Sequence, residues 1–215
     1  MLFNSIDFLL FFPVVCVVLF LLPKKVQWLW LLITSYYFYM SWNEKYALLI
    51  LTSTIITFTT GLLINRANEV RVKKFLVFIS FFSNLSILFF YKYYDFATET
   101  LNAITSKFSL NIDYPVLDVL LPVGISFYTF QALSYTMDVY RGDIKPTAHF
   151  GKYALFVSFF PQLVAGPIER TTNLLPQFNR EARFDYDRLR SGFVLILWGF
   201  FKKIIIADRI RKSKK

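Results

Sequence analysis

Two apolar stretches of the chain are interrupted by the same kinds of residue. "LLPVGISFYTFQALSYTMDVYRG" (120–142) opens with Pro122 and Gly124, then carries Ser126, Tyr128, Thr129, Gln131, Ser134, Tyr135 and Thr136. "FVSFFPQLVAGPIER" (156–170) holds Pro161, Gln162, Gly166 and Pro167 and ends on Glu169 and Arg170. Hydroxyls and amides within apolar segments avoid acyl chains and face protein or water. Together they could line a polar cavity at membrane depth that positions a substrate, or they could simply pack helices, since Ser and Thr do both. Gln131 and Gln162 are the more telling members, because a buried amide needs several partners. Each could orient a substrate or tie two helices, and tying is the simpler role. Glu169 and Arg170 read as a solvated pair at a loop start.

His149 is the single histidine and the residue type best suited to act as a base near neutral pH. Its context, "KPTAHFGKY", reads as a cytoplasmic loop with no nearby carboxylate to orient an imidazole, so an interfacial loop residue is expected there. Cys16 lies within an apolar run and reads as a small buried hydrophobe, which leaves no cysteine-based metal site or disulfide within the chain. There is no glycine-rich phosphate loop, no HExxH and no GxSxG.

The elements that must position these residues follow from composition. Of 215 residues, 56% are hydrophobic and 20% aromatic, with 26 Phe and 13 Tyr, which places the chain in the membrane class. The net charge of +10 would raise nucleic-acid binding in a soluble protein. Here the basic residues lie between or after apolar runs, so membrane orientation and anionic lipid head groups account for them and no nucleic-acid partner is expected. The start, "MLFNSIDFLLFFPVV", has no basic lead and reads as a retained first span.

Five spans are expected, at 8–22, 26–42, 46–64, 75–91 and 120–137, the last interrupted by Pro122 and Gly124. The third carries five Thr and one Ser, a density that fits a bundle interior. "YYFYMSW" makes an aromatic belt at the end of the second. Loops after the first, third and fifth spans hold eight Lys and Arg (Lys24, Lys25, Arg66, Arg71, Lys73, Lys74, Arg141, Lys145), against three (Lys45, Lys92, Lys107) on the other side. This bias puts the N-terminus outside and the odd loops in the cytoplasm. The loop 93–114 is then external, with room for a short surface helix.

If 153–168 crossed, Arg170, Arg180, Arg183, Arg188 and Arg190 would all lie outside. Entering and returning keeps them in the cytoplasm, with Pro161, Gly166 and Pro167 marking where the backbone leaves helical form. The run 191–201 stops at Lys202 and Lys203, and a lysine at mid-membrane costs about 2.5–3.5 kcal/mol. It is expected to lie at the cytoplasmic interface with its lysines snorkelling. The sequence therefore reads as an all-α polytopic membrane domain, with five spans in 1–142 and re-entrant and interfacial helices in 143–215.

"LPVGISFYTFQALSYTMDVYRG" (121–142), "FVSFFPQLVAGPIER" (156–170), "LLPQF" (174–178) and "GFFKKIIIADRI" (199–210) occur in that order. With "MLFNSIDFLLFF" and "YYFYMSWN", they resemble the membrane-bound O-acyltransferase family, in the branch of bacterial alginate O-acetyltransferases and D-alanyl transfer proteins. The resemblance covers essentially the whole chain and corresponds to roughly the N-terminal half of that fold.

It implies a multi-span enzyme of the cytoplasmic (inner) membrane with a central funnel. An acyl group, acetyl in this branch, passes from a thioester or acyl-carrier donor to a hydroxyl of an extracytoplasmic polysaccharide or cell-wall polymer. No bound cofactor or metal is implied. Pro122, Gly124, Ser126, Tyr128, Gln131, Gln162, Gly166 and Pro167 match the family's blocks and would line or shape the funnel. The family's histidine belongs to a later block of "W-H-G" type, which these residues do not contain. No catalytic residue is carried over, and the chain is expected to be incomplete and inactive alone. A completing C-terminal chain or other envelope acylation proteins are the expected partners, beside membrane lipid. A non-enzymatic scaffold or transport subunit, or a non-functional truncated remnant, remain as alternatives.

Overall fold

The computed structural model describes residues 1, 3, 5–107, 115, 122–163, 166, 167, 169–207, 209 and 210. Among these residues the chain is helical, with no strand. It divides into two compact units, one of residues 1–27 with 181–215 and the other of residues 28–180, the boundary falling inside the second helix. Two helices are long and apolar enough to cross a membrane, α3 (Glu44–Arg66) and α4 (Val70–Lys107), as befits a membrane-associated protein. The helices at the other expected spans, α1 (Ile6–Leu21), α2 (Lys24–Met40) and α5 (Ile125–Arg141), have 16, 17 and 17 residues.

In the first unit, α1 begins where the Ser5 hydroxyl accepts from the Phe8 amide at 3.2 Å. It runs through Pro13 and stops just before Pro23. The Gln27 side chain anchors the unit. Its amide nitrogen donates to the Leu19, Leu22 and Ala182 carbonyls at 3.1–3.2 Å, and its oxygen accepts from the Ala182 amide at 2.9 Å. The Phe184 ring packs edge-on against Phe20. Asp185 then caps α9 (Tyr186–Phe200), which runs directly into a π-helical stretch, Phe201–Ala207. No residue of α9 is buried.

In the second unit, α3 is the central element. Asn43 caps it through the Lys45 amide, and Glu44 and Arg66 at its two ends complement the helix dipole. Tyr46, Ile50, Ser53, Thr57, Thr60, Gly61 and Ile64 are buried along it, at the three- and four-residue spacing of one helical face. That face packs on α4, α5 and α6 (Phe150–Ser158). The Ser53 hydroxyl bonds the Asn84 amide oxygen across to α4, and Ser80 bonds Thr136 from α4 to α5 at 3.0 Å. The Tyr153 hydroxyl donates to Thr57 at 2.7 Å. Such side-chain bonds between helices are worth roughly 0.5–1.5 kcal/mol each. Gly61 lets the Tyr135 ring lie where a Cβ would stand 2.8 Å from it.

The fourth helix departs from the sequence expectation. It does not end at 91 before a loop but continues unbroken to Lys107, 38 residues in all. The segment 70–107 contains no Gly or Pro, and Ala97, Glu99, Leu101 and Ala103 sustain it. Residues 108–114 of the expected loop lie outside the described residues, as do 120 and 121 at the start of the expected fifth span. Pro122 and Gly124 precede α5 rather than interrupting it. Gly124, at φ +76°, is its N-terminal cap residue, and Gly142, at φ +80°, ends it.

Candidate functional site

The start of α5 and the broken segment 156–170 meet. Helix α6 stops at Ser158, and Phe159 turns the chain out of helical form at φ −56°, ψ 109°. Pro161 explains the position of the break: in a continued helix its ring would strike the Val157 carbonyl, and it has no amide to donate. One further turn, α7 (Phe160–Leu163), brings the Leu163 carbonyl against Gly124, so close that a Cβ on Gly124 would overlap it. Gly124 is thus required twice, for its left-handed φ and for this approach.

The break frees the Phe156 carbonyl from its usual place in a helical ladder, and both glutamines are spent on it. The Gln131 amide donates to it at 2.7 Å and the Gln162 amide at 3.4 Å. On the other side of the break, the Phe160 amide donates to the Ser35 hydroxyl at 3.3 Å. An unsatisfied buried carbonyl or amide costs about 1–3 kcal/mol, so these side chains hold a broken backbone that would otherwise be destabilised.

After Leu163 the chain turns back. The Gly166 amide donates to the Gln162 carbonyl at 2.9 Å. A short helix, α8 (Thr171–Leu174), and a 3-10 turn (Leu175–Asn179) follow. Phe178 packs on Phe159 with ring centroids 5.4 Å apart, and the Asn179 side chain accepts from the Lys152 ammonium. Residues 152 and 179 are therefore side by side.

The other sequence candidates fall around this point. Pro122 and Tyr128 are buried, Ser126 and Gly166 half-buried, and Pro167 exposed. Gln131 and Gln162, at 4% and 8% exposure, are brought together with Gly124. Glu169 is half-buried and Arg170 exposed. His149 stands apart on the surface. It caps α6, its Nδ1 accepting the Lys152 amide at 3.3 Å, and its ring meets Trp28 edge-on at 4.6 Å. A nitrogen engaged in capping is not poised to take a substrate proton. Among the described residues no cluster of three His, Cys, Asp or Glu could hold a metal.

Sequence reasoning passed over several residues that the fold brings into play. Ser35 and the Phe156 carbonyl complete the broken segment. Gln27, a lone amide in an apolar helix, carried the same signal as Gln131 and Gln162. The hydroxyls of Tyr39 and Tyr128 are buried against one another, and those of Tyr36 and Thr171 are buried without a hydrogen bond to any described residue. Tyrosine where phenylalanine would fill the volume was the available clue.

No protein-family model and no solved structure matches the chain. Curated relatives do. A probable alginate O-acetylase AlgI of Pseudomonas aeruginosa is 37% identical over 98% of this chain and 40% of its own length. Its counterpart in Azotobacter vinelandii is 37% identical over 98% of the chain and 42% of its own length. A peptidoglycan O-acetyltransferase of Helicobacter pylori is 33% identical over 87% of the chain and 39% of its own length. The chain spans about two fifths of the length of these relatives. Over nearly its whole length, it is similar to the N-terminal half of bacterial O-acetyltransferases of the alginate O-acetylase and peptidoglycan O-acetyltransferase kind.

Proposed function

We propose that this chain is the N-terminal portion of a membrane-bound O-acyltransferase that moves an acetyl group onto a hydroxyl of an extracytoplasmic polysaccharide or cell-wall polymer. The observation that carries this reading is the similarity at 33–37% identity along nearly the whole chain to proteins named for acetylating alginate and peptidoglycan. Five crossings by α1–α5, an outside N-terminus and a cytoplasmic C-terminal part accord with the lysine and arginine distribution. Residues 150–179, which run in and fold back with Asn179 beside Lys152, support re-entry from the cytoplasmic side. Pro122, Gly124, Ser126, Tyr128, Gln131, Gln162, Gly166 and Pro167 then shape the funnel around the broken backbone.

In the transfer, the acceptor hydroxyl loses its proton as its oxygen attacks the acyl carbonyl, and the thioester sulfur of the donor leaves. Among the described residues the single histidine is no candidate for the base that takes that proton, because His149 caps α6 at the surface. Residues 1–215 alone are therefore expected to transfer nothing. A completing segment or chain supplies the base, and other envelope acylation proteins pass on the acyl group. The test is genetic. Deleting the gene should remove alkali-releasable acetate from an envelope polymer, and acetate unchanged by the deletion would sink the reading.

A second reading, a non-enzymatic scaffold or transport subunit, draws on one observation. Gln131 and Gln162 spend their amides on the protein's own backbone.

A further inference from the structure

We propose that the unit formed by residues 1–27 and 181–215 binds the anionic phospholipid head groups of the cytoplasmic leaflet, with α9 lying in the plane of the interface and its apolar side sunk into the acyl boundary. The inference goes beyond acyl transfer and does not depend on it. It needs only that the chain sits in a membrane, in the orientation proposed above.

The charge of the chain is concentrated in this unit. It holds twelve Lys and Arg against five Asp and Glu, so seven of the ten net positive charges belong to it. Its acids gather before the apolar run, where Glu181 and Asp185 pair with Arg183 and Arg188. Those arginine side chains are 81% and 89% exposed, and ion pairs so open to solvent are weak. From Arg188 to Ala207 there are four basic residues and no acid.

Gln27 sets the level at which α9 starts. Its side chain bonds the Leu22 carbonyl at the end of α1 and both backbone groups of Ala182. Arg183 is thereby tied beside the turn that carries Lys24 and Lys25, both exposed. The end of an apolar helix marked by lysines is where head groups begin.

The faces of α9 fit that place. At helical spacing, Arg188, Ser191, Gly192, Gly199, Lys202 and Lys203 fall on one side, with Leu195 the large apolar residue among them. Neither glycine has an atom within 4 Å of an added Cβ, so this side is open. Phe193, Val194, Leu197 and Trp198 take up the rest of the circumference and are more than half exposed. A narrow basic side above a wide apolar one is the pattern of a helix lying in the interface plane. The apolar run 191–201 would extend about 16 Å, well short of the roughly 30 Å needed to cross. Lys202 holds its ammonium over the Trp198 ring at 5.3 Å, as a lysine stem bordering acyl chains does. Basic pairs flank the run at both ends, Arg188 and Arg190 before it, Lys202 and Lys203 after it. A continuous layer of anionic head groups meets both pairs at once, and this charge complementarity favours phospholipid over a protein groove.

The test uses the full chain with Cys16→Ser and one added cysteine, Leu197→Cys or Gly199→Cys, labelled with a polarity-sensitive fluorophore. The protein is reconstituted in nanodiscs of phosphatidylcholine, alone or mixed equally with phosphatidylglycerol. Brominated acyl chains report contact with lipid, and aqueous acrylamide reports contact with water. In mixed discs the label at position 197 should be quenched by brominated lipid and the label at 199 by acrylamide. The ratio of immersed to lifted helix should fall in phosphatidylcholine alone and with added salt. Lys202→Gln with Lys203→Gln should lower it about 20- to 30-fold in mixed discs, since each basic residue near an anionic surface is worth about fivefold. Lys45→Gln with Lys107→Gln, charges outside this unit, should leave it unchanged.

Equal immersion in the two kinds of disc, or a ratio unmoved by the lysine substitutions, would show that α9 does not recognise anionic head groups. A label at 197 hidden from both quenchers would mean that protein covers the run, a second copy or another chain, and the lipid proposal would be wrong. Quenching of both positions by brominated lipid alone would mean that α9 is immersed on every side, which also overturns it. None of these outcomes touches ester formation, so acyl transfer is judged separately by the gene deletion.

Discussion

The contact of α5 with the broken segment and the helical run 186–207 are opposites in how they treat polar and apolar groups. Around Phe156, polar side chains are buried and bonded: Gln131, Gln162 and Ser35 each take a backbone group that the break at Phe159 leaves outside the helix. Along 186–207 the helix is continuous, yet Phe193, Val194, Leu195, Leu197 and Trp198 are all more than half exposed. An apolar run left uncovered, as Phe193–Trp198 is, suits lipid or another protein surface. Lys202 sits over the Trp198 ring at 5.3 Å, an arrangement compatible with a lysine reaching for an interface. The first region buries and bonds its polar groups, and the second leaves its apolar groups uncovered.

Substitutions can break or sharpen that contrast. The largest effect is expected at Gly124. Gly124→Ala should lower stability by about 2–4 kcal/mol, combining a strained left-handed residue with a collision at the Leu163 carbonyl. Gly142→Ala separates the two causes, because Gly142 has nearly the same φ but nothing within 4 Å of an added Cβ. It should cost only about 1 kcal/mol. Thermal unfolding of the two variants in the same detergent measures the difference, and equal losses would mean that the Leu163 approach does not matter.

A smaller loss, about 1–2 kcal/mol, is expected for Gln131→Leu, which leaves the Phe156 carbonyl to the longer Gln162 bond. The paired variant Gln131→Leu/Gln162→Leu should lose more than the sum of the singles, since both amides serve one acceptor. Additive losses would show that the carbonyl has another partner.

The smallest effect is expected in the exposed run. Leu195→Asn, at a position 69% exposed, should change thermal stability in detergent by no more than about 0.5 kcal/mol. It should nevertheless weaken partition of the helix into lipid vesicles, read from Trp198 fluorescence. A large loss of stability in detergent would show that α9 is packed within the protein after all.

How much of this was legible beforehand depends on how local the cause is. The break near Pro161 and the special conformation of Gly124 could be read from residue type, because both follow from backbone sterics within a few residues. The unbroken length of α4 was missed because the polar residues 92–107 look like a loop by hydropathy, while the absence of Gly and Pro favoured helix. The glutamines were recognised as buried amides needing partners. That both would serve the single Phe156 carbonyl could not be read, because Gln131 is 25 residues from it in sequence.

The sequence by itself determined the membrane class, the charge asymmetry, the break near Pro161 and the likeness to O-acetyltransferases. These depend on composition and on short ordered blocks, which survive without any knowledge of contacts. Only the tertiary structure decided that residue 179 returns to residue 152, that Gln27 joins residue 182 to the start of α2, and that Tyr39 and Tyr128 share one buried corner. The physical reason is the same in each case. A hydrogen-bonding group in an apolar segment must find a partner, but sequence states only the need, and folding in three dimensions chooses which distant group meets it.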